Sequence, residues 1–235
     1  YLFLKILYIP IEILLYKLFY KMKPLIKNSK FKILLSNNVF KPTGTSDLLY
    51  QSATKFIKKP SKILDLGCGS GYVGIAIKKN LPLKSKIFFS DLSKYAVQLT
   101  KKNLKLNKIS GNVRCGSLFV PWKNIKFDFI VNDVTGIAKE ISTISPWYNK
   151  KIPTKSGKDG TELTIKFIAE SKEYLNKKGK IFFPLISLSN YKKVLKVAKK
   201  NYNSVKLINS KEWPLPQEMY KFKKQIEKLH KKKII

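Results

Sequence analysis

A short loop after an apolar run combines the residue types expected of a ligand-binding turn. This glycine loop consists of five residues: Gly67, Cys68, Gly69, Ser70 and Gly71. Glycines at alternate positions let the backbone pass close to a ligand, because no Cβ atom intervenes. Asp65 stands two residues before the loop, and a carboxylate there suits a cationic part of a ligand better than a phosphate.

The spacing of the glycines excludes two common phosphate-binding loops. The dinucleotide fingerprint G-x-G-x-x-G places its third glycine later than Gly71 stands here, and an aspartate precedes the first glycine in this chain. A P-loop requires Gly-Lys followed by Ser or Thr, whereas Tyr72 follows Gly71. The glycine loop therefore indicates a different class of ligand.

A second carboxylate, Asp91, ends the next strand-like run, Lys86–Ser90. A carboxylate in this position of a nucleotide-binding fold accepts hydrogen bonds from both hydroxyls of a ribose. The alternative is a helix cap, since Asp-Leu-Ser precedes a helical pattern. Because the glycine loop lies one strand earlier, the sequence favours ribose binding.

The elements that must position these residues alternate between strands and helices. Predicted strands cover residues 62–66, 86–90, 112–115, 127–132 and 180–186, with two more around 204–208 and 219–223. Predicted helices cover residues 46–58, 73–79, 94–107, 161–175 and 191–201. This alternation predicts a parallel sheet with right-handed crossovers, which binds its ligand beyond the carboxyl ends of the strands.

The sequence resembles the class I S-adenosyl-L-methionine-dependent methyltransferases, and more narrowly the release-factor glutamine methyltransferases and their small-domain relatives. Besides the glycine loop and Asp91, three segments carry the resemblance: Val39–Leu49, Gly116–Phe119 and Lys158–Leu163. It covers about residues 38–188. It implies an α/β fold with a Rossmann-like, seven-stranded, mostly parallel sheet, and S-adenosyl-L-methionine as cofactor.

The resemblance also implies which residues hold the cofactor. They are Thr45, Asp65, Gly67, Cys68, Gly69, Ser70, Gly71, Asp91, Leu92, Ser117, Leu118 and Asn132. Two of these positions depart from the family pattern. Ser117 stands where the family has an aspartate, and Thr45-Ser46 stand where it has an acidic pair.

The largest departure lies after the fourth predicted strand. The family reads Asn-Pro-Pro-Tyr there, whereas this chain reads Asn132-Asp133-Val134-Thr135-Gly136. Asn132 and Asp133 are the candidate catalytic residues, because either could accept a hydrogen bond from an attacking N–H and align its lone pair with the methyl group. Asp133 could also deprotonate a hydroxyl, so O-methylation stays open. The alternative is that these residues only form a turn with Gly136.

Other candidate residues have a structural alternative. Trp147 and Tyr148 could stack on a planar acceptor or anchor a loop, and both alternatives stay open. Trp213 is interpreted as packing. Cys68 and Cys115 are interpreted as free thiols, and the single histidine, His230, leaves no set of residues for a metal site.

Composition bounds the class of protein. The chain has 235 residues, of which 44% are hydrophobic, so it can build a core, and two cysteines exclude a disulfide scaffold. We expect an apolar helix and connector over residues 1–37, the methyltransferase domain over 38–225 and a basic tail over 226–235.

The pattern of residues 1–20 excludes a spanning helix and a secretory signal. It leaves open a peripheral membrane contact through residues 1–23, or packing of this helix on the main domain or on a partner.

The formal charge is +34, and all but one of the 48 basic residues are lysine. Codon bias explains the lysines but not the scarcity of acids, and such a surface attracts RNA, ribosomes or anionic lipid. We therefore expect a cytoplasmic enzyme that methylates a nitrogen on a macromolecule, protein or RNA, with a ribosome-associated target as one option. The alternatives are a small-molecule or lipid acceptor at a membrane surface, and a non-catalytic domain that binds the cofactor.

Overall fold

The computed structural model describes residues 25–81, 84–134, 136–149, 152, 154 and 156–235. The predicted apolar helix within residues 1–23 lies outside this part of the chain and stays a prediction. Within the described part, no helix has both the length and the apolar character needed to cross a bilayer.

A parallel sheet of five strands forms the centre of the molecule, in the spatial order β5-β4-β3-β6-β7. The strands are β3 (Lys62–Leu66), β4 (Lys86–Asp91), β5 (Asn112–Cys115), β6 (Phe127–Asn132) and β7 (Leu175–Phe182). A separate antiparallel hairpin pairs β1 (Leu25–Lys27) with β2 (Lys32–Leu34). The α/β class and the parallel sheet are confirmed.

The prediction of seven strands in the sheet is wrong. Residues 204–208 form no strand, and a 3₁₀ helix, Gln217–Phe222, replaces the strand expected around 219–223. Leu207 is 83% exposed, so this segment lacks the buried face that would hold a strand in register. Pro214 and Pro216, which follow it, have no N–H to donate to a neighbouring strand.

The boundaries around the last strand also differ from the prediction. The helix expected over residues 161–175 ends at Ser171, and the strand expected over 180–186 begins at Leu175. Gly179, expected to end that helix, lies inside β7. An irregular register between the pairs Phe127–Leu175 and Phe129–Lys180 accommodates the extra residues of β7.

Helices cover both faces of the sheet and bury its alternating apolar residues. They are α1 (Gly44–Thr54), α2 (Tyr72–Asn80), α3 (Lys94–Leu106), α4 (Lys139–Ile144), α5 (Glu162–Ser171), α6 (Tyr191–Asn201) and α7 (Lys223–Lys231). Along β3, Ile63 packs into the cluster on one face, whereas Leu64 and Leu66 pack into the cluster on the other. This period of two is typical of a strand buried on both faces.

Asn103 in α3 and Asn107, which caps the C-terminal end of α3, take the place of a strand partner for the hairpin. Asn107 accepts from the N–H of Lys32 at 2.9 Å and donates to its carbonyl at 2.6 Å. Asn103 does the same with Leu34 at 2.8 and 3.1 Å, and it also donates to the carbonyl of Ser70 at 2.8 Å. Helix α3 therefore ties the hairpin to the glycine loop.

We expect Asn103→Ala to lower the free energy of unfolding by about 2–4 kcal/mol, because it leaves buried backbone groups without partners. Urea unfolding followed by circular dichroism measures the loss. The control is Asn112→Ala, which truncates an exposed asparagine and should stay within about 0.5 kcal/mol of wild type. Equal effects of the two substitutions would contradict this account of α3.

Candidate active site

The predicted site residues meet at the carboxyl edge of the sheet. Asp65, Asp91 and Asn132 stand at or near the ends of β3, β4 and β6, and β3 lies between the other two strands. Strands β3 and β6 are neighbours in the sheet although two strands separate them in sequence, so the direction of the chain switches beside β3. A crevice for ligands opens at such a switch point.

The glycine loop adopts a backbone that only glycine accommodates easily. Gly67, Gly69 and Gly71 have φ values of +73°, +55° and +78°. The N–H groups of Gly67 and Cys68 both donate to the carbonyl of Ser90, at 2.8 and 3.0 Å. A Cβ atom on Gly67 would stand 2.0 Å from Cγ1 of Val134, so the loop after β6 crosses directly over the glycine loop.

Helix α3 supports the glycine loop from behind. The hydroxyl of Thr100 donates to the carbonyl of Gly69 at 3.0 Å and lies 3.4 Å from Sγ of Cys68. Together with Asn103, this contact holds two carbonyls of the loop on the helix. The sequence analysis missed both residues. Their signal was two polar side chains on the otherwise apolar face of a predicted helix.

The Asp91 carboxylate links the glycine loop to the start of α3. Oδ2 accepts from the N–H of Gly69 at 2.9 Å, and Oδ1 accepts from the N–H of Ser93 at 2.8 Å. Burial raises the pKa of the Asp91 carboxyl. Ser93 itself caps α3 through its hydroxyl. Asp91 thus orders the loop by joining it to the start of α3.

Asp65 is almost fully buried and accepts from the N–H of Gly74 in α2 at 2.8 Å. Burial raises the pKa of its carboxyl to about 7, and the negative charges of Asp133 and Asp91 add to the rise. Three carboxylates therefore share one edge of the sheet at a cost in desolvation and repulsion. A cationic ligand group would offset that cost.

The loop after β6 brings Asn132 and Asp133 beside the glycine loop. Oδ1 of Asn132 accepts from the N–H of Val134 at 3.2 Å, so the Asn132 side chain folds back on the start of this loop. Its Nδ2 is buried and has no hydrogen-bond partner in the described part of the chain. The hydroxyl of Ser70 is unpaired in the same way. Buried polar atoms without partners are rare in folded proteins, and here two of them lie at the same edge of the sheet.

The first turn of α1 supplies a partner for Asp133 that the sequence analysis missed. The hydroxyl of Ser46 donates to Oδ2 of Asp133 at 2.5 Å. Burial raises the pKa of Asp133 to about 6, while the hydrogen bond from Ser46 opposes the rise. Ser46 also accepts from the N–H of Thr43, and the hydroxyl of Thr43 lies 2.7 Å from that of Thr45. Ser46 had been noted only as a departure from the family pattern.

The remaining candidates lie at the periphery. Leu92 and Ser117 are exposed, whereas Leu118 packs against the core in a left-handed conformation with φ of +42°. Tyr148 contacts the ring of Phe40, with centroids 5.1 Å apart. It packs with Trp147 against the cluster around α4, which favours anchoring over stacking. Both cysteines are free, as predicted: Cys68 and Cys115.

We expect Asp65→Asn to flatten the pH dependence of stability. The folded-state pKa of about 7 exceeds the ordinary value of 3.8, so the folded state holds a proton that the unfolded state releases between pH 4 and 7. Asp65 therefore destabilises the fold increasingly as pH rises, on the order of 1.4 kcal/mol per pH unit in that window. Thermal unfolding of wild type and Asp65→Asn between pH 4 and 7 measures how the stability of each depends on pH.

Asp65→Ala serves as a second variant because it also removes the acceptor for Gly74. Its stability should depend on pH as weakly as that of Asp65→Asn, but it should be lower than that of Asp65→Asn at every pH. If wild type and Asp65→Asn have parallel profiles from pH 4 to 7, the assigned pKa is wrong.

Comparison with known proteins connects this geometry to a family. Residues 40–133 match the methyltransferase small domain. Over 167 residues the chain is 31% identical to a Methanocaldococcus jannaschii protein named provisionally as a protein N5-glutamine methyltransferase, which covers 70% of this chain and 80% of that protein. The release factor glutamine methyltransferase of Borreliella burgdorferi is 32% identical over 154 residues, or 63% of this chain and 53% of that protein. The chain spans about half the length of this bacterial relative.

The fold is also that of solved methyltransferases. The T. thermophilus 16S rRNA N2 G1207 methyltransferase, solved with AdoMet and guanosine, has a TM-score of 0.57 at 15% identity, covering 77% of this chain and 44% of that one. These findings confirm the resemblance stated from the motifs. The chain belongs to the methyltransferase small domain family and is a methyltransferase of the class I fold.

Proposed function

We propose that this chain transfers a methyl group from S-adenosyl-L-methionine to a nitrogen atom of a macromolecule. One observation carries the proposal: the glycine loop and the loop after β6 touch at Gly67 and Val134, so the candidate acceptor residues Asn132 and Asp133 directly adjoin the cradle for the methyl donor. Direct transfer needs donor and acceptor in line at close range, and such a juxtaposition of loops provides it.

The residues at the edge of β3 and β4 fit the cofactor. A Cβ atom on Gly69 would come no closer than 3.8 Å to other described residues, which leaves room for a ligand at this position of the loop. Ser70 has an unpaired buried hydroxyl, and Asp91 lies where a ribose would be held. Asp65 lies beside the loop and adds negative charge there once its carboxyl ionises, around pH 7. When bound, S-adenosyl-L-methionine supplies a methyl group activated by a positively charged sulfur. The three carboxylates of this edge favour a cation of that kind.

The residues at the end of β6 act on the acceptor. Asp133 accepts a hydrogen bond from the attacking N–H and takes the proton that the nitrogen loses as its lone pair forms the new bond to the methyl carbon, whose bond to sulfur breaks and leaves its electron pair on the sulfur. Asn132 orients the acceptor through its unpaired Nδ2, which is suited to donate to a carbonyl or ring nitrogen next to the attacking atom. Ser46 keeps the Asp133 carboxylate in place and favours its ionised form.

The family supports a macromolecular acceptor. The relatives are named for release factors, for a ribosomal protein and for ribosomal RNA. The same membership supports an active enzyme over a domain that only binds the cofactor. The cofactor residues inferred from the resemblance, including Thr45, Leu92, Ser117 and Leu118, enter this proposal as the outer part of the site.

We expect Asp91→Asn to weaken binding of S-adenosyl-L-methionine at least tenfold, because a charged acceptor for two hydroxyls is lost. Isothermal titration calorimetry measures the affinity, and transfer of radiolabelled methyl into extract from cells lacking the protein measures activity. Asp128→Asn removes a carboxylate at the opposite edge of the sheet and should bind the donor as wild type does. Methyl transfer by Asp91→Asn at the wild-type rate would refute the assigned cofactor site.

We expect methyl transfer to increase with pH around pH 6, as Asp133 ionises. Ser46→Ala should shift this increase to higher pH, because it removes the hydrogen bond that lowers the pKa. Asp133→Asn should abolish the increase and most of the activity. Ser52→Ala, a buried serine of the same helix, is the control and should keep the wild-type profile. Identical profiles for wild type and Ser46→Ala would rule out Asp133 as the group that takes the proton.

A further inference from the structure

We propose that residues 211–235, the C-terminal wall, bind single-stranded RNA beside the acceptor site. In this proposal Trp213 stacks on a base, and a cleft lined by lysines holds the phosphate backbone. The inference rests on the proposed function, since it names the macromolecule that the acceptor residues would face. It assigns a role to Trp213, which the sequence analysis had interpreted as packing.

Trp213 lies beside the acceptor loop with much of its ring accessible. A Cβ atom on Gly44 would stand 2.8 Å from two carbons of the indole, so the ring lies directly on the first residue of α1. Two residues later, Ser46 donates to Asp133. The Trp213 residue is 44% exposed, whereas Trp122 is fully buried in the core. An indole held on glycine at the rim of a site provides a flat surface on which a base can stack.

A cleft at the other end of the wall carries unpaired positive charge. The cleft has a volume of about 270 Å³ and lies between α7, α4 and the turn before α5. Lys158, Lys228 and Lys232 line it and are exposed, and none forms an ion pair with Asp or Glu among the described residues. Glu140 is its single acidic lining residue. Three ammonium groups around a small cavity suit a phosphate oxygen.

One apolar cluster joins the wall to the segment that follows the acceptor loop. Leu215, Leu229 and Ile234 of the wall pack with Ile137 and Ile141, which follow the acceptor loop. The wall is therefore packed against the segment that leads directly away from Asn132 and Asp133. A single-stranded RNA bound along the wall would pass the proposed site of methyl transfer.

The chemistry of the wall favours nucleic acid over an acidic protein segment. The wall contains eight lysines and three glutamates. Lysines alone attract any polyanion, but an exposed indole near the reacting groups adds a contact that bases make and carboxylate side chains do not. The cation of Lys211, 5.6 Å from the centroid of the Trp213 ring, keeps positive charge next to that stacking surface.

A second basic groove provides a matched control. It lies at the amino ends of the strands, on the far edge of the sheet, and its lining includes Lys86 and Lys108 but no tryptophan or tyrosine. If the charge of +34 acted only at long range, loss of two lysines from either groove would weaken RNA binding equally.

The test is fluorescence anisotropy of a labelled single-stranded RNA of mixed sequence, with full-length protein and without methyl donor. We expect Lys228→Gln with Lys232→Gln to weaken binding about tenfold and to reduce the dependence of log affinity on log salt by about 1.4, the value for two phosphate contacts on a single strand. Lys86→Gln with Lys108→Gln should change affinity less than about twofold. Equal losses from the two pairs would overturn the proposal.

Trp213 is tested separately. Trp213→Ala should weaken RNA binding about tenfold, Trp213→Phe should restore most of it, and a mononucleotide should quench the fluorescence of the wild type more than that of Trp213→Phe. An acidic peptide of equal charge should compete poorly. Effective competition by the peptide, or wild-type affinity of Trp213→Ala, would overturn the proposal in favour of a protein partner.

The same variants separate this inference from the proposed function. RNA binding that depends on the wall, combined with no methyl transfer to any extract, would support the RNA-binding role of the wall and refute the enzyme mechanism. Methyl transfer that depends on Asp91 but is unaffected by the wall variants would support the enzyme mechanism and refute RNA binding by the wall. Thermal unfolding of each variant verifies that these surface substitutions leave the fold intact.

Discussion

The crossing of two loops at the carboxyl edge of the sheet is the constraint on which the site depends. The loop after β6 passes so close to the loop after β3 that position 67 has no room for a Cβ atom. The same residue has a positive φ, so glycine satisfies both the steric and the conformational demand. Because the loops touch, the residues suited to hold a methyl donor and those suited to hold an acceptor belong to one crevice.

This crossing requires a glycine loop that does not move, and buried polar contacts from α3 provide the support. Thr100 and Asn103 together bind carbonyls of the loop, while Asp91 binds one of its N–H groups. Each backbone group left unpaired in such a place would cost about 1–3 kcal/mol. Asn103 extends the network to the hairpin before α1, which makes that hairpin part of the support for the site.

The outer surface of the protein is positively charged, whereas the crevice at the carboxyl edge of the sheet contains acidic side chains. The exterior carries most of the +34 charge, whereas the crevice gathers Asp65, Asp91 and Asp133 in a poorly solvated position that raises the pKa of each. The two fields act over different ranges. Salt screens the exterior charge within about 10 Å at 0.1 M, so it concentrates polyanions near the surface without determining which group enters the crevice. The buried carboxylates act only on direct neighbours, where a cationic group would offset their repulsion.

Local patterns in the sequence were sufficient to predict the core of the fold. Strands β3, β4, β5 and β6, and the helices between them, followed from buried apolar runs and glycine turns, because each is defined by residues close in sequence. The carboxylates Asp65 and Asp91 and the candidate Asn132 followed from their places at strand ends. The number of strands in the sheet did not follow. Both the pattern, with strands around 204–208 and 219–223, and the family resemblance predicted seven, whereas the exposed Leu207 and the two prolines after it fit the five-stranded sheet of the described residues.

Only the tertiary structure decided the contacts between residues that are far apart in the chain. Ser46 and Asp133 are 87 positions apart, and Gly44 and Trp213 are further apart still, so no local pattern could pair them. The early start of β7 has the same origin, because strand pairing with β6 outweighs the helical pattern that runs toward Leu175. The sequence by itself determined the class of enzyme and the residues at the strand ends. Packing of distant segments decided the partner of Asp133, the position of the exposed indole and the shape of the wall beside the acceptor site, because those depend on which surfaces meet after the chain has folded.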